Sequence, residues 1–339
     1  MKTKKKRDKK DIPWKFSVRT DLAIEARELA GAKSEEDEIE GVEVITKEQE
    51  NFSITHVKIL NEKGSKAMGK PIGNYITIES EKLKENDILC HEEIMQTVSK
   101  YISSLSRLKR KATILVVGLG NWNITPDALG PKVISKILVT RHLQGSLPDE
   151  IDDSVRSVAA ISPGVMGITG IETGEIIKGV VEKIKPDLVI AIDALAARRF
   201  SRINATIQMS DTGVAPGAGM GNKRMVLNEE TLGVPVLAIG VPTVVDAATL
   251  VNDTMDRMLE EMIAQTQEGS EFYEMLKSMD TDEKYQLIVE ILNPYVGNMF
   301  VTPKEVDAVV DRLANIIANS INIAVHPGIT MDDINRYVF

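Results

Sequence analysis

Two aspartates stand where the chain can bring them to one edge. Asp127 lies in Thr125-Pro126-Asp127-Ala128-Leu129-Gly130, just beyond the apolar run Thr113 to Val117 and ahead of a helical stretch. Asp193 closes a second apolar run, in Ala191-Ile192-Asp193-Ala194-Leu195-Ala196. Parallel strands present functional groups at their carboxyl ends, so neighbouring strands of this kind put both carboxylates on the same side. Taken singly, Asp127 reads as a helix N-cap and Asp193 as a strand-end cap. An aspartate between Ile192 and Ala194 is nonetheless a costly placement unless it has a partner. Close carboxylates cannot both ionise cheaply, so one pKa rises and the other falls, which supplies an acid and a base around a water. Such a pair titrates as a unit, and mild acidity favours its singly protonated form.

Other chemistries fit less well. Gly118-Leu119-Gly120 follows a strand, but the dinucleotide fingerprint requires a third glycine where Asn123 stands. There is no Walker A sequence and no Gly-x-Ser-x-Gly. Cys90 and His91 are adjacent and cannot alone form a nucleophile and base pair, so Cys90 reads as a core or surface thiol. The four histidines, His56, His91, His142 and His326, form no His-Glu-x-x-His, and Met95 occupies the place a second ligand would need. No metal ligand is assigned, with a carboxylate-held divalent metal as the alternative. Asp211-Thr212-Gly213 matches the tripeptide of aspartic proteases, but its glycine-rich flank, Val214 to Gly219, marks a loop and a coincidence.

The elements that must position these groups follow from patterning. The chain has 339 residues, 43% hydrophobic and 27% charged, enough for two domains or one large α/β domain with a sizeable core. From Thr113 onward, buried apolar strands (Asp187 to Ile192, Ala205 to Met209, Val234 to Val241) alternate with helical stretches at Ile171 to Ile184 and from about Val244. The expected fold is α/β, a largely parallel central sheet with helices on both faces. Before it, Gly41 to Thr46, Phe52 to Leu60 and Tyr75 to Ile78 form a small N-terminal antiparallel β addition, followed by a helix over Glu92 to Leu108. Helices near 270–291 and 303–325 close the chain. The uncharged run Leu313 to Met331 carries Asn315, Asn319 and Asn322 at helical spacing and reads as an amphipathic helix, not a membrane span.

Charge is unevenly spread. Residues 1–21 carry nine basic groups against three acids, a net +6, so −15 falls on the remainder of a chain whose total is −9. An acidic body argues against nucleic acid as its partner. The basic tip lacks the apolar core of a secretory signal and reads as a solvated tail. The single cysteine suits a reducing cytoplasm.

Seven segments carry a resemblance: Ser17-Val18-Arg19-Thr20-Asp21-Leu22-Ala23, Val116-Val117-Gly118-Leu119-Gly120-Asn121, Thr125 to Pro131, Pro163-Gly164-Val165-Met166-Gly167, Ile192 to Arg198, Gly221-Asn222-Lys223-Arg224 and Val301 to Asp307. The chain resembles the germination proteases of spore-forming bacteria, endopeptidases that degrade small acid-soluble spore proteins, from about Ser17 to Arg312. The resemblance implies a fold similar to the hydrogenase-maturation endopeptidases, which use a metal. It also implies a homotetrameric zymogen made in the forespore, activated by self-cleavage, and working in the cytoplasm of the spore core. Its two catalytic aspartates fall on Asp127 and Asp193, and its processing site between Asp21 and Leu22. The domain reading that follows is a basic propeptide, 1–21, and a single peptidase domain, 22–339, with the β-rich addition at 41–110, the catalytic core at 111–265 and C-terminal helices at 266–339.

The family cleaves after an acidic residue that a hydrophobic residue and alanine follow, and Asp21-Leu22-Ala23 offers that pattern as a tethered substrate. Lys223 and Arg224, beside the glycine-rich loop, are candidates to read the acidic residue. Two rivals remain: metallopeptidase chemistry with Asp127 and Asp193 as ligands, and a non-catalytic protein that binds spore proteins through its acidic body.

Overall fold

A computed structural model describes residues 20–31, 38–146, 154–217, 224–266, 270, 274, 287, 288, 290–292 and 299–337. The expectations placed on residues 1–19, on Lys223 and on most of 270–291 lie outside the described residues.

The apolar runs become strands for the reason their composition gives. In β4 (Thr113–Gly118) and β6 (Leu188–Ala197) successive side chains point to opposite faces, and both faces are buried. Ile114, Val116, Ile190 and Ile192 pack on one face, against the helices Ile88–Ser106, Leu129–Ile134 and Val306–Val325. Leu115, Val117, Val189 and Ala191 pack on the other, where the helix Thr173–Ile184 presents Ile177 and Val181.

The described strands form one sheet in the order β1-β2-β3-β7-β8-β6-β4-β5, where β1 is Val42–Glu48, β2 Ser53–Ile59, β3 Gly73–Glu79, β5 Ser157–Ile161, β7 Thr206–Ser210 and β8 Val236–Asp246. A short β9 (Phe300–Val301) pairs with β8. β5, β4, β6 and β8 run parallel, and β1 to β3 form the expected antiparallel addition. The fold is the expected α/β arrangement, with one change. β7, read with the parallel strands, runs antiparallel to both β8 and β3 and joins the addition to the central sheet. The link from β6 to β7 holds only the turn Phe200–Arg202, too short for a crossover, which takes about a dozen residues.

The asparagine stripe also differs from expectation. The helix Val306–Val325 lies in the core with Asn319 and Asn322 buried. Asn322 accepts from the Leu138 N–H at 2.9 Å and donates to the Lys136 carbonyl at 3.2 Å, so its polarity is spent on a neighbouring loop and not on water. By length and composition this helix could cross a membrane, but 72% of its most apolar stretch is buried inside the protein.

By contacts the chain divides into two units. One takes in Thr20–Asp246 and Phe300–Phe339, hence the whole sheet, and the other includes Ala247–Met299, where the helix Ala247–Gln265 is described.

Candidate active site

β4 and β6 pair in parallel, Gly118 opposite Ile192, so the chain leaving β4 and the residue after Ile192 reach the same edge. Beyond β4 the backbone folds back through the turn Thr125–Asp127. Gly118 and Gly120 make this possible by close approach and not by binding a nucleotide. A Cβ on Gly118 would meet the Gly130 carbonyl at 2.3 Å, and one on Gly120, at φ +114°, would meet the Asp127 carbonyl at 2.0 Å. The turn is held from outside as well: Thr243 Oγ1 donates to the Pro126 carbonyl at 2.7 Å and Thr125 Oγ1 to Asp307 at 2.6 Å.

Asp127 is not an N-cap. Ala128 precedes the helix Leu129–Ile134, and no side chain caps it, which leaves the Asp127 carboxyl to the cavity. Asp193 does not end its strand either. β6 continues to Ala197, across a bulge at Leu195 and Ala196, so Asp193 sits within the sheet, buried, with its Oδ1 accepting from the Ala194 N–H at 3.0 Å.

Asp127 and Asp193 line one cavity of about 590 Å³ together with Asp21, Lys70, Gln208 and Arg224. Burial pushes the Asp127 carboxyl up to about 6, against the Asn121 N–H and the charge of Arg224. Asp193 is also raised well above the usual carboxylate range, first through burial and then through the charges of Asp127 and Asp21. The expected split of one raised and one lowered pKa therefore takes another form. Desolvation raises both, and Asp127 ionises first because it is the less buried. Both shifts favour a pair that holds a proton over one in which both carboxyls are charged.

The candidate processing bond is in the same place. Asp21 lines the cavity, while Leu22 and Ala23 are fully buried, Ala23 against Val57, Ile59 and Tyr75 at the head of the helix Ala23–Leu29. The Asp21 N–H donates to the Ala196 carbonyl at 3.0 Å, and its Oδ2 accepts from the Ala196 N–H at 2.8 Å. Its carbonyl oxygen accepts from Lys70 Nζ at 2.9 Å and from Gln208 Nε2 at 3.1 Å. Burial raises the Asp21 carboxyl and lowers Lys70, and each charge opposes the shift of the other. Behind the bond, Glu25 is fully buried, accepts from the Arg198 and Arg199 N–H groups at 2.7 and 2.9 Å, and pairs with Arg202 at 3.3 Å. Arg202 also binds Glu28 and Glu79, which ties this helix to β3.

Arg224 acts on Asp127 and Asp193, while the Asp21 carboxyl takes its partners from Ala196 and Lys70. Lys70 and Gln208 escaped the sequence reading. Lys70 stands in an unremarked Gly69-Lys70-Pro71 turn, but Gln208 carried a usable signal, an amide between the apolar Ile207 and Met209 within a buried strand. The Asp211-Thr212-Gly213 tripeptide is structural: the Asp211 carboxylate accepts from the Asn74 backbone and side chain at 2.7 and 2.6 Å, tying β3 to the end of β7. Among the described residues, no group of three or more His, Cys, Asp or Glu side chains is placed to hold a metal ion.

Comparison with known proteins bears on these residues. The model of the germination protease family matches residues 21–272 and 257–338, so its match begins at Asp21. A germination protease of Clostridium tetani is 56% identical over 95% of this chain and 100% of its own length. One from Clostridium perfringens is 54% identical over 95% and 99%, and one from Bacillus cereus 44% identical over 95% and 97%. Among solved structures, a nickel–iron hydrogenase maturation protease of Thermococcus kodakarensis is similar at 17% identity, over 66% of this chain and 98% of its own, with a TM-score of 0.31, too low to carry an argument. The extent and level of the germination protease matches show that the chain belongs to the germination protease family, endopeptidases of spore germination.

Proposed function

We propose that the chain is a zymogen that cleaves its own Asp21–Leu22 bond and then cuts small acid-soluble spore proteins after an acidic residue, before a hydrophobic residue and alanine. One observation carries this reading: Asp21 sits in the cavity that Asp127 and Asp193 line, held by backbone and side-chain hydrogen bonds. A bond held beside its catalytic groups reacts as one molecule, without the entropy cost of an encounter.

In this mechanism the ionised Asp127 takes a proton from a water whose oxygen attacks the Asp21 carbonyl carbon. Asp193, still protonated, gives its proton to the departing Leu22 amine as the carbon–nitrogen bond breaks. Arg224 steadies the negative charge of the pair. Removing residues 1–21 takes away a net +6 and removes the part of the cavity wall that Asp21 forms. The mature enzyme works as a homotetramer in the cytoplasm of the spore core, on substrates that repeat the pattern of the tail.

The test incubates the purified chain and its Asp193→Asn variant with a small acid-soluble spore protein and reads the new N-termini. Cuts after acidic residues by the wild type alone support the reading. A salt-sensitive complex with no products would instead make the chain a binding protein.

A further inference from the structure

When water adds to the Asp21 carbonyl, its oxygen becomes an oxyanion, which needs donors already aimed at it in a site shielded from water. Two side chains from different elements meet that oxygen. Lys70 Nζ, just past the helix Glu62–Met68, donates to it at 2.9 Å, and Gln208 Nε2, from β7, at 3.1 Å. The Gln208 amide has one orientation that satisfies both its contacts, because its Oε1 accepts from the Ala23 N–H at 2.6 Å. Gln208 thus grips the main chain on both sides of Leu22. Lys70 is also the cation whose charge acts on the Asp21 carboxyl, the group whose Oδ2 is fixed by the Ala196 N–H.

We propose that Lys70 and Gln208 form the oxyanion-binding pair of this protease, and that Lys70 selects the acidic side chain preceding the cleaved bond. The proposal rests on the reading of Asp21–Leu22 as the processed bond. It assigns Gln208 two separable tasks, since its oxygen docks the segment and its nitrogen stabilises the developing charge. Gln208→Glu keeps an acceptor for the Ala23 N–H and loses the donor once its carboxyl is ionised, so it is assayed above about pH 7. Lys70→Arg keeps the charge but not the geometry, and Lys70→Met loses both.

The experiment follows self-processing of each full-length chain by intact mass. Once processing is complete, kcat and KM are measured on two peptides that differ only in Asp or Asn before Leu-Ala. Losing one oxyanion donor should lower kcat about 10²-fold. Gln208→Glu should therefore show that loss with the preference for Asp retained. Lys70→Met should show it with the two peptides cleaved at nearly equal rates, and Lys70→Arg should keep the preference at reduced kcat. Wild-type kcat in Gln208→Glu, or an undiminished preference for Asp in Lys70→Met, overturns the proposal while Asp21–Leu22 remains the processed bond. Wild-type cleavage at some other bond overturns that reading, and the proposal with it.

Discussion

Replacing Asp127 by asparagine should make the protein more stable at neutral pH. Folding places the Asp127 carboxyl in a cavity wall and raises it from 3.8 to about 6. Because the folded pKa is the higher, the folded chain holds more protons between the two values. The stability tied to protonated Asp127 is full below about 4 and is lost as pH rises through about 6. Between about pH 5 and about pH 7.5 such a shift changes the folding equilibrium roughly tenfold, about 1.4 kcal/mol. Asp127 is partly solvated, so roughly 1 kcal/mol is expected. Asparagine keeps the shape and the acceptor for the Asn121 N–H, and has no charge to desolvate. The assay is urea unfolding by circular dichroism at both pH values, comparing Asp193→Asn with Asp193→Asn/Asp127→Asn so that neither chain processes itself. The chain that retains Asp127 should lose about 1 kcal/mol more on going to the higher pH. Equal pH dependence in the two chains would refute the reasoning, because it would mean that folding does not desolvate Asp127.

Other outcomes follow from the same geometry. The self-processing rate should fall about tenfold per unit below about pH 6, as Asp127 takes up a proton, and a flat profile down to pH 4 would remove Asp127 as the base. Gly120→Ala puts a Cβ 2.0 Å from the Asp127 carbonyl, at φ +114°, and should destabilise by more than about 1 kcal/mol while lowering the rate by a larger factor. Arg202→Met leaves Glu25 buried without its cation and should cost about 3–5 kcal/mol in unfolding experiments. Excess chelator should leave the rate unchanged, whereas a loss restored by a divalent ion would make Asp127 and Asp193 metal ligands.

Much of this site could be read from residue order because its logic is local. Asp127 and Asp193 each follow an apolar run whose β-branched composition marks a buried strand, and the structure pairs those two strands in parallel. The strand direction of β7 was not legible in composition, since an apolar strand reads the same either way; only the short link through Phe200–Arg202 excludes a parallel crossover. The buried asparagines of Val306–Val325 misled for a related reason. Helical spacing shows that polar groups share a face but not whether water or a backbone carbonyl lies opposite. Lys70 and Gln208 reach Asp21 across 49 and 187 residues of chain, so no local pattern could pair them with the bond they hold. Gly118 and Gly120 show the reverse case, a motif whose spacing suggests phosphate binding but whose missing side chains admit the backbone around Asp127.

The central claim is that Asp127 and Asp193 cut the bond the chain presents to them. The most direct measurement is the intact mass of purified wild type, Asp127→Asn and Asp193→Asn after incubation near pH 6, at several protein concentrations. The account predicts loss of residues 1–21 from the wild type alone, with a first-order rate independent of concentration. Equal loss from all three chains would place the catalytic groups elsewhere and contradict it.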